Sequence, residues 1–168
     1  MPSSVKFKTR IKPLEHLKMS YIEVSKAIVE KLGGNFKLRL ICTVNKTVSW
    51  QCGLVALKQG SAYISLNKKI LKELNAEVGT EINVTLVKDE SKYGMEMSAE
   101  LKSLLKQDKE GSRRFHMLPM GKQRYIIYYV SQVKVSQLRI DRAIRLIENL
   151  KKTLEGKESF REIVGKKN

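Results

Sequence analysis

The sequence predicts an α+β protein, a small closed β-barrel with a pseudo-twofold internal repeat followed by a C-terminal helical segment. Three observations predict it: self-similarity within residues 1–92, apolar alternation of period two beside the repeat, and a change to helical spacing after residue 98. Tyr21, Ile22, Lys26, Ile28 and Leu32 recur as Tyr63, Ile64, Lys68, Ile70 and Leu74. After a two-residue adjustment, Leu38, Leu40 and Cys42 return as Ile82, Val84 and Leu86. Each copy reads as short strand, short helix, turn and longer strand. Two copies sharing one core close a barrel and leave no sheet edge exposed.

The elements follow in order. Ser25 and Asn67 are N-cap types, because a short side-chain oxygen can accept from the first free backbone N–H groups. Ile28, Val29 and Leu32, like Ile70, Leu71 and Leu74, make one apolar stripe per short helix. Gly33-Gly34 and Asn75 tolerate the left-handed exit that ends a helix. Phe36, Leu38, Leu40, Cys42 and Val44 then alternate with polar or solvent-facing positions as a half-buried strand. Residues 47–57 place Val48, Trp50, Cys52, Leu54 and Ala56 on one face. A three-residue turn, Asn45-Lys46-Thr47, sets Val44 opposite Val48, Cys42 opposite Trp50 and Leu40 opposite Cys52, with every apolar side chain inward. The two thiols are then diagonal neighbours and small core residues.

Near residues 91–98 the alternation stops, which separates a barrel domain (1–92) from a helical region (98–168). Ser98 caps a helix carrying Leu101, Leu104 and Leu105; Gly111 ends that region, and Pro119 with Gly121 marks another break. Tyr125 to Val130 has strand propensity, yet Ile126, Tyr129, Val130 and Val133 fall at helical spacing, and helix is the prediction. Residues 136–154 form the last long helix, with Ile140, Ala143, Ile144, Ile147 and Leu150 on its core face. Phe160 and Ile163 suit one more turn.

Composition narrows function. Of the 168 residues, 33 are Lys or Arg and 17 are Asp or Glu, a net charge of +16. Such a balance disfavours an acidic metal cage and favours polyanions. The longest apolar-aromatic run is too short to span a bilayer, and residues 1–8 lack a signal-peptide core, so a cytoplasmic protein is expected. Two cysteines build no disulfide framework. His16 and His116 stand apart from any carboxylate motif, and His116, between Phe115 and Met117, reads as a partly buried structural residue. There is no Cys-x-x-Cys or His-x-x-x-His and no aspartate cluster, so neither catalytic residues nor a cofactor is expected.

The remaining signal is basic. Arg113, Arg114, Lys122, Arg124, Lys134, Arg139, Arg142 and Arg145 concentrate in the helical half, beside Tyr125, Tyr128 and Tyr129. Arginine forks grip phosphates and exposed tyrosines stack on bases. The same residues also suit a salt-bridged helix face, with Asp141 and Arg145, and Glu148 and Lys152, as i,i+4 pairs.

These residues also carry a resemblance. Residues 7–89, with Tyr21-Ile22-Glu23-Val24, the Trp50 hairpin, Gly60, Ile64-Ser65-Leu66-Asn67-Lys68 and Val78-Gly79, resemble the domain of unknown function 1905. The second half resembles the YdeI/OmpD-associated, or bacteriocin-protection, region through Leu101 to Leu105, Phe115, Leu118, Lys122-Gln123-Arg124-Tyr125, Lys134, Arg139, Arg142-Ala143-Ile144 and Leu150. The resemblance implies a double-split barrel similar to AbrB-like swapped-hairpin proteins, with both halves in one chain. Some AbrB-like relatives bind DNA as dimers; no catalytic residue comes with the resemblance.

Two functions of different class therefore fit. One is non-enzymatic, largely sequence-independent binding of nucleic acid or another polyanion through the eight basic residues. The other is a protein-interaction or stress/bacteriocin-protection module with a protein partner. A small-ligand or enzymatic pocket near Trp50, Tyr63 or His116 ranks third. The internal duplication weakens the need for a dimer and leaves oligomeric state open.

Overall fold

The computed structural model describes residues 4–166; the first three residues, part of the segment read for a signal peptide, and the last two lie outside them. The chain divides into two compact units, Met1–Gly94 and Met95–Asn168. It is an α+β protein.

The first unit holds β1 (Val5–Arg10), β2 (Lys12–Leu14), β3 (Met19–Val24), α1 (Lys26–Lys31), β4 (Arg39–Val44), β5 (Val48–Gly53), β6 (Val55–Ala56), β7 (Ala62–Leu66), α2 (Lys68–Leu74) and β8 (Glu81–Lys88). Its ladders form two four-stranded sheets, β1-β8-β4-β5 and β2-β3-β7-β6, rather than one continuous closed cylinder. The strand path breaks at two buried corners, Ile11 between β1 and β2 and Leu54 between β5 and β6. The bend at Leu54 ends the expected alternation early and leaves Ala56 exposed. The β1–β2 strand lay outside the repeat as read, although Val5, Phe7 and Thr9 alternate inward against exposed Lys6, Lys8 and Arg10.

Register shows how the copies relate. Ile22 pairs with its repeat equivalent Ile64, and Cys42 pairs with its equivalent Leu86. Equivalent residues meet each other at the centre of each sheet, as a local two-fold axis requires. Tyr21 and Tyr63 pack ring to ring at 5.5 Å. The hairpin register is the expected one, Val44 to Val48, Cys42 to Trp50 and Leu40 to Cys52. Ser25 and Asn67 cap α1 and α2 through the Ile28 and Ile70 amides, and Asn75 takes the left-handed exit at φ 49°. β4 starts at Arg39 rather than at Phe36, because the Asn35 side chain accepts from the Lys37 amide and holds a turn there. Ile22, Leu40, Ile64, Ile82 and Leu86 form the centre of a buried apolar core. Contact with Cys52 and burial push the Cys42 thiol far above its ordinary range, so both cysteines act as apolar filling.

The second unit holds α3 (Ala99–Gln107), α4 (Lys109–Met117), α5 (Met120–Ser131), α6 (Ser136–Lys152) and α7 (Phe160–Val164). Ser98 caps α3 as expected. Gly111 does not end that region. Asp108 does, capping α4 through the Gly111 amide at 2.8 Å. Gly111 lies inside α4, where an added Cβ would come within 2.5 Å of Ile147; it is a close-approach residue. The strand-prone Tyr125–Val130 run is helical, since α5 buries Ile126, Ile127 and Val130 on one stripe and packing overrides propensity. Ser159 and Glu162 complete a capping box on α7.

Candidate binding grooves beside helix α6

Helix α6 is the axis of the second unit. Ala143, Leu146, Ile147 and Leu150 bury one stripe. The expected core face contained Ile140 and Ile144 and lacked Leu146; Ile140 and Ile144 are instead 37% and 46% exposed. The apolar residues of α6 span more arc than one helix face can bury, which is the signal in the sequence that some had to stay outside.

On one side of α6, Ile140 and Ile144 join Ala99, Leu104 and Ala143 in a groove of about 480 Å³ against α3. Its one charged lining group, Glu100, is already engaged: it accepts from Arg139 at 2.8 Å and from the Ser136 hydroxyl at 2.8 Å. The Arg139 bond, with help from Ser136, holds the Glu100 carboxyl down at about 2. The groove is thus apolar with a neutralised rim.

On the other side, Tyr129, Val133, Leu138, Asp141, Arg142 and Arg145 line a groove of about 470 Å³ against α5. Arg142 donates to the Tyr129 carbonyl at 2.9 Å and lies over the Tyr129 ring at 4.3 Å. Arg145 reaches the Tyr129 hydroxyl at 3.4 Å. Asp141 accepts from Gln137, not from Arg145, and Glu148 pairs with Lys151, not with Lys152; neither expected i,i+4 pair forms.

The eight basic residues do not share one open face. Arg113 forks onto Glu110 and also bridges Glu155, which raises its pKa further. Arg114 is only 4% exposed, bonded to the Lys151 and Thr153 carbonyls and to Glu158, with its Nε lacking a hydrogen bond. A buried guanidinium cannot grip a phosphate, so Arg114 is a structural residue. Lys122 donates to the Glu158 carbonyl. Arg139 belongs to Glu100 and the Val133 and Lys134 carbonyls. Arg142 and Arg145 line the second groove. Arg124 and the Lys134 ammonium make no hydrogen bond or ion pair among the described residues. The sequence could not show the Arg113–Glu155, Arg114–Glu158, Lys122–Glu158 and Arg139–Glu100 contacts, because those partners lie 36 to 44 residues apart.

The residues of the third reading divide between the two units. Trp50 lines a cavity of about 260 Å³ in the first unit with Arg39, Gln51, Ser65 and Asn67. Its polar groups serve the fold: Arg39 bonds Gly94, Gln51 bonds Asp89, and Asn67 caps α2. Tyr63 packs on Tyr21 instead. His116, in the second unit, is exposed rather than partly buried, with Nδ1 2.7 Å from the Ser112 carbonyl oxygen. Among the described residues, no group of three His, Cys, Asp or Glu side chains could hold a metal, and no helix is long and apolar enough to cross a membrane.

Comparison with protein families divides the chain at the same place. Residues 7–86, in the first unit, match the model of a domain of unknown function (DUF1905). Residues 94–153 match the family described as Bacteriocin-protection, YdeI or OmpD-Associated. That second match includes α3 to α6 and both grooves. No curated protein matches the chain.

Proposed function

We propose that this is a non-enzymatic interaction protein of the bacteriocin-protection kind, acting in the cytoplasm and taking up a partner protein in the groove between α3 and α6. The carrying observation is the pair Ile140 and Ile144, exposed one turn apart beside Leu104 with a neutralised rim. An amphipathic partner helix with an aliphatic ridge has the shape and chemistry for such a groove. A net charge of +16 speeds encounter with an acidic partner. The match to the bacteriocin-protection family covers this helical region and is consistent with the reading. The first unit we read as its scaffold, a pseudo-twofold double-split barrel whose central pairs are Ile22 with Ile64 and Cys42 with Leu86.

The test is the double variant Ile140→Asp with Ile144→Asp. Partner capture in high salt after nuclease treatment, and survival of expressing cells under bacteriocin challenge, should both fall to background. Both side chains are partly solvated, so the melting temperature should change little. A variant that protects and captures like the parent protein sinks the reading. Capture that disappears with nuclease or salt would point instead to polyanion binding. That rival reading would rest on Lys122, Arg124, Lys134, Arg142 and Arg145, the predicted residues that make no ion pair among the described residues.

A further inference from the structure

We infer that the groove between α5 and α6 is a binding site for a monocarboxylate that carries an apolar arm. Arg113, Arg114 and Arg139 each meet a carboxylate within 4.0 Å, whereas Arg142 and Arg145 meet none, although Asp141 lines the same groove. Tyr129 holds both guanidiniums. Its carbonyl and ring face fix Arg142, and its hydroxyl meets Arg145. Among the described residues the remaining N–H groups of the two arginines have no protein acceptor, so both guanidiniums, held by Tyr129, keep donors to offer in the groove they line. Pre-orientation matters because it lowers the entropic cost of capturing a ligand.

Charge selects the ligand. Two guanidiniums against one Asp141 carboxylate leave the groove at +1, the charge that a single monoanion neutralises. The planar fork also matches carboxylate geometry. Beside it, Leu138 (48% exposed) and Val133 offer apolar wall, and about 470 Å³ is in the range of small-ligand sites. A free polypeptide C-terminus ending in an apolar residue and a small aliphatic or aromatic acid share this chemistry.

The experiment is calorimetric titration of the full chain with three probes: a tetrapeptide ending in free leucine, its C-terminal amide, and 4-phenylbutanoate. The peptide acid should bind about tenfold or more tighter than the amide, the cost of losing a charge-assisted bond. Arg145→Gln, at an exposed position, should weaken the acids by a similar factor with an unchanged circular dichroism spectrum. Equal binding of both acids would assign small carboxylates as the source, and preference for the peptide a polypeptide C-terminus. Equal binding of acid and amide, no binding at millimolar probe, or an Arg145→Gln variant that binds like the parent overturns the site. The Ile140 and Ile144 variants lie in the other groove and should leave these titrations unchanged, so the two readings fail separately.

Discussion

The two units hold their cores by different means. In the β unit, ion pairs stay at the surface, as where Lys8 and Arg10 meet Glu81, while the interior is an apolar set of mostly Ile, Leu and Val in matched register. In the helical unit, charged residues enter the structure as tertiary cross-links. Arg114 with Glu158 ties α4 to the segment before α7, Arg139 with Glu100 ties α6 to α3, and Lys151 with Asp108 ties α6 to the α3–α4 junction. A sheet gets specificity from a two-residue period, since a one-residue slip turns every side chain over. Short helices can slide and roll, and fixed ion pairs offer them a register that apolar stripes do not.

The largest test of that contrast is Arg114→Met. It strands Glu158 in a buried site and should cost about 3–5 kcal/mol of helical-unit stability, read by urea unfolding at 222 nm. The sole tryptophan, Trp50, lies in the β unit and should report an unshifted transition there. If adding Glu158→Leu restores most of the loss, the pair acts in register rather than in net stability. Next, Gly111→Ala forces a Cβ onto Ile147 and should cost about 1–3 kcal/mol by overpacking, measured the same way; a neutral result would mean α4 and α6 can separate at little cost. Removing the α3 cap with Ser98→Ala should cost about 1 kcal/mol, as should Asn67→Ala in the β unit, so the two units should respond alike where the device is the same.

The smallest effect is the most diagnostic. The Glu100 carboxyl sits at about 2 in the folded protein, below its ordinary value of 4.5. A depressed carboxylate stabilises the fold above the unfolded value and loses that contribution as pH falls toward the folded one. Glu100→Gln should therefore melt lower than the parent protein at pH 6, and the gap should close between about pH 4.5 and pH 2. A gap that persists at pH 2 would assign the contact to packing.

What was legible in the sequence follows the same division. The repeat, the caps at Ser25, Asn67 and Ser98, and the turn Asn45-Lys46-Thr47 are local or periodic, so spacing reveals them. The strand propensity of Tyr125 to Val130 yielded to helical spacing for the same reason. The fate of the arginines was not legible, because Arg114 and Glu158 are 44 residues apart and no period connects them. Ile140 and Ile144 were placed inside on spacing alone, although a helix with too wide an apolar arc must expose part of it. The two grooves are visible only once α6 is seated between α3 and α5.

Cys42 facing Leu86 has an evolutionary consequence. In an assembly of identical subunits, every mutation at the axis strikes twice and must fit against itself. With both copies in one chain that restriction is absent, so a slim thiol can sit across from a broad aliphatic group, both fully enclosed. Asymmetry of that sort lets one copy drift toward new duties while the other keeps the shared interior filled.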